Sequence, residues 1–316
     1  MKTNGLIAAT FGFYTPEGDV DLEPIAAMVD RLAAQGVTGV FICGTNGEGP
    51  NLTIDERMAV AEEYLRAAKG KISVFVHVGH ASIREACKLA EHAQQHGADA
   101  ISSVSAFYYK PDQIDVLVDS MATIAAAAPD TPFYYYHIPT LTGVGLDMVA
   151  FLERAEQVIP NLAGIKYTAS TLHEYQACLN YKEGKYNILF GYDELLLEAL
   201  SVGAQAAIGS TYAFAAPIYV DLLQKFQRGD LQSARGRQLD SVNMVRCLSG
   251  YNSIAAQRAI MQMLGITLGP CRLPLRELTA KQYQELKEKL DKAGFFQALE
   301  NAGHALRLQG IPGGLS

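Results

Sequence analysis

Eight short apolar runs, rich in β-branched and aromatic residues, recur along the first two thirds of the chain. They are residues 5–10 (GLIAAT), 39–44 (GVFICG), 73–79 (SVFVHVG), 100–105 (AISSVS), 132–138 (PFYYYHI), 162–167 (LAGIKY), 187–192 (NILFGY) and 204–210 (AQAAIGS). Most are almost continuously hydrophobic, the pattern of strands buried on both faces of a parallel sheet. Segments such as DLEPIAAMVDRLAAQG and TIDERMAVAEEYLRAAKG separate them, with apolar residues at helical spacing and charges on the other face. Gly36, Gly70, Gly97 and Gly203 stand where such helices should stop, and Thr53, just ahead of Asp55 and Glu56, is placed to cap one. This repeat predicts an α/β fold, a (β/α)8 TIM barrel rather than an open doubly wound sheet.

The alternation ceases after residue 226. LQSARGRQLDSVNMVRCLSG, SIAAQRAIMQMLG and TAKQYQELKEKLDKAGFFQALENAGHALRL each read as helix, with a break before the last at Gly269-Pro270 and Leu273-Pro274. The expected organisation is therefore a barrel over residues 1–226 and a C-terminal helical appendage over 227–316, packed on the barrel. A length of 316 residues suits that arrangement.

With 49% hydrophobic and 19% charged residues and no low-complexity tract, the chain has a soluble globular composition, with disorder expected only in the closing GIPGGLS. The net charge of −7, without a Lys/Arg cluster, lacks the footprint of a nucleic-acid binder. The opening MKTNGLIAATFGFYTPEGD has too short an apolar stretch for a signal peptide or a membrane span, so a cytoplasmic location is expected. Five cysteines with no CxxC pair predict free, mostly buried thiols rather than disulfides or a zinc knuckle.

In barrels of this kind, reactive groups gather where the strands end. The second run ends in Gly44, Thr45, Asn46, Gly47 and Glu48, and the fourth leads to Phe107, Tyr108 and Tyr109. The fifth ends at Tyr136 and His137, the sixth at Lys166 and Thr168, the seventh at Gly191, Tyr192, Asp193 and Glu194, and the eighth at Gly209, Ser210 and Thr211. A lysine drawn into a dry interior is biased toward the neutral amine, which is a nucleophile; a snorkelling strand-end lysine is the other reading of Lys166. Tyr136 is placed to carry a proton, whereas Tyr134 and Tyr135 read as core aromatics.

The loop CGTNGEG matches neither phosphate-binding glycine pattern, but its amides and the Thr45 hydroxyl suit a carboxylate. Asp193 and Glu194 are adjacent, so they should diverge rather than flank one glycosidic bond; hydrogen bonding to a polyol fits them better. His92 and His96 are four apart on a helix without an evident third ligand, and read as a solvated face with no metal.

In combination and in order, these motifs resemble the pyruvate-dependent class I aldolase family that contains N-acetylneuraminate lyase and dihydrodipicolinate synthase. GTNGEG matches its G-[ST]-T-G-E loop, YYYHIP its Y-x-[IV]-P strand and GIKYT its G-[IV]-K-x-[ST] lysine strand, with GYDE and GSTY after the next two strands. The resemblance spans roughly residues 5–275. It implies that Lys166 forms a Schiff base with the 2-oxo acid and that Tyr136 is the acid/base. Thr45 and Tyr108 would be relay hydroxyls, Tyr108 reaching in from a neighbouring subunit, and Thr45 with Asn46 would hold the pyruvate carboxylate.

Leu141 stands where the synthases place an arginine, while GYDE and GSTY look like the sialic-acid branch, whose sugar chain would meet Thr168, Gly191, Asp193, Glu194 and Ser210. The implied reaction is reversible aldol cleavage of N-acetylneuraminate to pyruvate and N-acetylmannosamine. It would run in a homotetramer with no cofactor beyond the covalent imine, and with no nucleic-acid or membrane partner.

Three positions depart from the family pattern. Asn46 replaces a hydroxyl residue, and an amide holds a carboxylate without relaying protons; Ala106 replaces a proline, and Ala213 follows GSTY where the lyases commonly carry Asn. The competing readings are a sister aldolase or dehydratase for another 2-keto-3-deoxy sugar acid, and a non-catalytic sugar-acid-binding barrel.

Overall fold

The computed structural model describes residues 3–308, so the closing GIPGGLS lies outside the described residues. Eight parallel strands close into a barrel in chain order: β1 (Gly5–Ala9), β2 (Gly39–Ile42), β3 (Ser73–His77), β4 (Ala100–Val104), β5 (Phe133–His137), β6 (Leu162–Tyr167), β7 (Asn187–Phe190) and β8 (Ala206–Gly209). Each expected apolar run contains one of them. Ile7, Phe41, Phe75, Tyr134, Leu189 and Ile208 fill the barrel interior, while a larger outer core lies between the strands and the surrounding helices. Both strand faces are thus dry, which is why the runs alternate so little.

Local signals set the helix ends. Thr53 caps the helix Ile54–Ala68 through a reciprocal capping box with Glu56, and Gly36, Gly70, Gly97 and Gly203 all take positive φ at the turns that stop their helices. The segment 279–308, which the sequence pattern reads as one helix, is two: Ala280–Lys292 and Phe295–Leu308. Gly294 separates them with φ of 74°, a left-handed stop inside an otherwise helical pattern. The helices Leu231–Cys247 and Phe295–Leu308 pack on Tyr212–Gln227, the helix that follows β8. All five cysteines are free, though only Cys43 and Cys178 are buried. Among the described residues, no helix is long and apolar enough to cross a membrane.

Two irregularities in the barrel position the site. Between β5 and β6, Phe133 pairs with Leu162 but Tyr134 pairs with Gly164, leaving Ala163 as an extra residue. Ala163 packs on the inner layer, Ile165 and Tyr167 belong to the outer core, and Lys166 points inward. Strict alternation from Ala163 would have sent Ile165 in and Lys166 out; the bulge shifts the phase by one. The second irregularity is a seam. β7 and β8 share one register pair, Phe190 with Ala207, whereas every other neighbouring pair shares at least three.

Candidate active site

Lys166 and Tyr136 are direct cross-strand partners; the regular alternation of β5 points Tyr136 into the barrel, and the bulge in β6 turns Lys166 in beside it. The Lys166 Nζ lies 3.8 Å from the centre of the Tyr136 ring and 4.0 Å from that of Phe41, with only 4% of the residue exposed. His77 completes the enclosure, its ring 5.9 Å from both Phe41 and Tyr136. Ring faces attract an ammonium, but loss of water opposes it more strongly. Burial therefore holds the Lys166 pKa below the usual lysine range, and the opposing pulls of Tyr136 and Asp193 offset only part of that shift.

His77 is neutral in this setting. Burial, then the charges of Arg57 and Lys166, push its pKa well below the usual imidazole value. Its Nδ1 donates to the Cys43 carbonyl at 3.1 Å, and its Nε2 accepts the Val104 amide at 3.4 Å. The buried Arg57 guanidinium donates to the carbonyls of His77 (2.5 Å) and Gly79 (2.9 Å), fixing the end of β3.

The loop after β2 carries Thr45, half-buried, and Asn46, buried. Glu48 sits in a left-handed conformation, and its buried carboxylate faces Arg258 at 3.3 Å. Arg258 in turn donates to the carbonyls of Gly12, Leu268 and Gly269, tying the loop to the C-terminal segment. Thr45, Glu48, His77, Phe107, Ile138 and Leu141 are among the residues lining a mainly apolar cavity of about 270 Å³ beside this loop.

Across the mouth, Asp193 bridges the ends of β7 and β8. Its Oδ2 accepts the Thr211 amide (2.8 Å) and hydroxyl (2.6 Å) and, at 3.5 Å, the Ser210 hydroxyl. The Tyr219 hydroxyl lies 2.6 Å from that of Thr211 and 2.7 Å from that of Ser241, while Ser241 and Gln238 reach the Asp193 carbonyl. Burial raises the Asp193 pKa against the hydrogen bonds from Thr211 and the charge of Lys166. Glu194, beside it and half-buried, is also raised by burial.

Asp193 Oδ1 and Thr168 Oγ1 are buried without a hydrogen-bond partner. Such atoms are rare in finished interiors and are suited to the hydroxyls of a ligand. The backbone keeps close to both: a Cβ on Gly191 would overlap Thr168 Oγ1, and one on Gly209 would overlap Asp193 Oδ1.

The strand ends thus bring Lys166 beside Tyr136 and place Thr45, Asn46, Thr168, Gly191, Asp193, Glu194 and Ser210 on the loops around the same mouth. Tyr108 is not gathered in; it is 78% exposed, its ring edge-on to Tyr109 at 5.0 Å. Sequence reasoning passed over Phe41 and His77, which cage the amine, and Tyr219 and Ser241, which stand behind Thr211 and Asp193. His77 is a polar residue near the end of the third apolar run and the last residue of β3, so its position was a usable signal. Phe41 had no signal beyond being a strand aromatic.

The sequence profile of the Dihydrodipicolinate synthetase family matches residues 2–293. The N-acetylneuraminate lyase of Danio rerio is 38% identical over 295 residues, 92% of this chain and 96% of that protein. That of Xenopus tropicalis is 41% identical over 279 residues, 87% of this chain and 91% of that one. The solved N-acetylneuraminate lyase of Proteus mirabilis superposes with a TM-score of 0.90 at 39% identity, covering 93% of this chain and all of its own.

Proposed function

The chain belongs to the Dihydrodipicolinate synthetase family, and from that premise we propose that it is an N-acetylneuraminate lyase. It is a carbon–carbon lyase of the class I aldolase type, cleaving N-acetylneuraminate reversibly to pyruvate and N-acetylmannosamine. The observation that carries the chemistry is the buried Lys166 amine, 3.8 Å from the Tyr136 ring and with its pKa lowered by burial.

Lys166 Nζ attacks the 2-oxo carbon of the open-chain sugar acid, and loss of water gives the protonated imine. Tyr136, left as the phenolate after giving its proton to the departing water, takes the C4 hydroxyl proton; the C3–C4 bond breaks, C4 leaves as the aldehyde of N-acetylmannosamine, and the bond electrons pass to the imine as an enamine. Protonation at C3 and hydrolysis release pyruvate and restore the amine. The electron sink is the imine, so the cycle calls on no metal. Thr45 and Asn46 hold the carboxylate, while Thr168, Gly191, Asp193, Glu194 and Ser210 receive the sugar chain, a role supported by the unpartnered Thr168 Oγ1 and Asp193 Oδ1.

Tyr108 reaches in from a neighbouring subunit of a homotetramer and completes, with Thr45 of the site it enters, the proton relay. Supporting this are the exposed apolar side chains Phe107, Tyr108, Tyr109 and Leu141. Residues 227–316 serve as an extension of the barrel rather than a separate unit, a division supported by the packing of the helices Leu231–Cys247 and Phe295–Leu308 on Tyr212–Gln227. The acidic composition, without a Lys/Arg cluster, suits a cytoplasmic enzyme without nucleic-acid or membrane partners.

Incubation with pyruvate followed by borohydride reduction should leave the added mass on Lys166, and its absence there would overturn the imine. Pyruvate release should be faster from N-acetylneuraminate than from 2-keto-3-deoxygluconate; the reverse order assigns the barrel to a sister aldolase. Asp193→Asn should lower kcat/KM for N-acetylneuraminate while pyruvate still traps on Lys166. A hydrogen bond to a charged group is worth about 1.5–3 kcal/mol, or roughly 10- to 100-fold. Unchanged kcat/KM would remove Asp193 from the sugar site.

A further inference from the structure

His92 and His96 present both imidazoles on one face of the helix Ile83–Gln95 and its C-cap, and the fold supplies the donor that their spacing lacks. Glu62, thirty residues earlier on the neighbouring helix Ile54–Ala68, accepts a hydrogen bond from His92 Nε2 at 2.9 Å, the proton that a metal ion would replace, and its Oε1 lies 3.7 Å from His96 Nε2. All three donor atoms fall within 4.8 Å of one another. The two rings are 4.1 Å apart between centroids and tilted by 33°. His96 Nδ1 lies 2.9 Å from the His92 carbonyl, which can only accept. That bond puts the neutral ring's proton on Nδ1 and leaves the Nε2 lone pair free to ligate, the usual arrangement of a metal-binding histidine.

We propose that Glu62, His92 and His96 bind one divalent transition-metal ion, zinc foremost, which staples these two helices together outside the barrel. Zinc bonds to nitrogen and carboxylate oxygen at about 2.0–2.2 Å place tetrahedral ligand atoms about 3.3 Å apart. The separations of 2.9 and 3.7 Å straddle that value, so small side-chain rotations close the site. Two imidazoles and one carboxylate select zinc or its transition-metal neighbours over magnesium and calcium, which favour all-oxygen shells. The remaining coordination falls to water, and entry is open because Glu62 and His96 are exposed.

His96 precedes the start of β4 by four residues, so the site lies toward the N-terminal ends of the strands, away from the Lys166 mouth. Groups on that side of such barrels act on stability rather than on chemistry. The ion is therefore a structural one, independent of the aldol reaction proposed above.

The test uses the full-length protein, stripped with a chelator and titrated with zinc chloride by calorimetry. One zinc per chain is expected, together with a rise in Tm. Since losing even an outer partner of a metal ligand costs roughly 10- to 100-fold in affinity, His96→Ala and Glu62→Gln should each weaken binding at least tenfold and remove the Tm rise. Both substitutions are at exposed positions, and circular dichroism checks that the fold is kept. Cobalt in place of zinc should give a spectrum without a thiolate charge-transfer band, separating this site from Cys87 on the same helix. Failure to bind, binding indifferent to both substitutions, or a thiolate band would each overturn the proposal.

Discussion

Replacing Lys166 by methionine is expected to cost four or more orders of magnitude in turnover and, at neutral pH, to make the protein more stable. The first effect follows from removing the group that forms the covalent bond, since loss of a nucleophile costs up to about a million-fold in well-studied hydrolases. The second follows from where the amine sits. Methionine keeps a stem of similar volume between Phe41 and Tyr136 and removes a charge that burial disfavours.

The sign is set by the direction of the shift. Lys166 has a lower pKa folded than unfolded, where it takes the ordinary lysine value of 10.5. Its burial therefore costs stability in full at every pH below the folded pKa, and that cost fades as pH rises from the folded pKa toward 10.5. The Tm gain of Lys166→Met should be full below the folded pKa, shrink as pH rises from there, and vanish by about pH 10.5. Pyruvate release and thermal melts over a pH series read both effects. Turnover within tenfold of the parent protein would end the imine mechanism, and loss of cooperative unfolding would make the lysine a structural residue.

Tyr136→Phe should separate proton transfer from imine formation. The phenyl ring remains to pack edge-on against Phe41, 5.5 Å away, so the enclosure around the amine survives. Only the hydroxyl is lost, and general acid–base catalysis is worth roughly 10²- to 10⁴-fold. The expected outcome is a fall of that size in kcat for N-acetylneuraminate, with borohydride still trapping pyruvate on Lys166. Unchanged kcat would take the proton role away from Tyr136. Loss of trapping would mean that its hydroxyl is needed to set up the imine itself.

Much of this architecture was legible because its causes are local. Buried parallel strands write continuous apolar runs, and Thr53 with Glu56, or a glycine at a helix stop, needs only neighbours to act. What stayed hidden depends on distant partners. LAGIKY gives no count of its own bulge; the phase shift that turns Lys166 inward is defined by pairing with β5, and Gly164 hints at it only as a glycine within a strand. Asp193 was legible as a polar strand end, but its supports come from beyond the next strand: Thr211 from the loop after β8, Tyr219 from the helix Tyr212–Gln227 and Ser241 from Leu231–Cys247. Glu62 is separated from His96 by a whole strand and most of a helix. The unbroken helical pattern over 279–308 outweighed Gly294, although left-handed geometry at that residue is what divides it.

The seam between β7 and β8 constrains how this barrel can change its substrate. With one register pair joining those strands, Asp193 acts as a clasp: Oδ2 is committed to the Thr211 amide and hydroxyl, and Oδ1 is left without a partner. On the sugar site proposed above, a substitution at Asp193 that accommodates a different sugar would also unfasten the strand ends. Thr168 and Glu194 carry no such duty in the barrel wall, so on that proposal inheritable shifts in specificity would have their freest ground there, around a carboxylate that the closure of the barrel holds fixed.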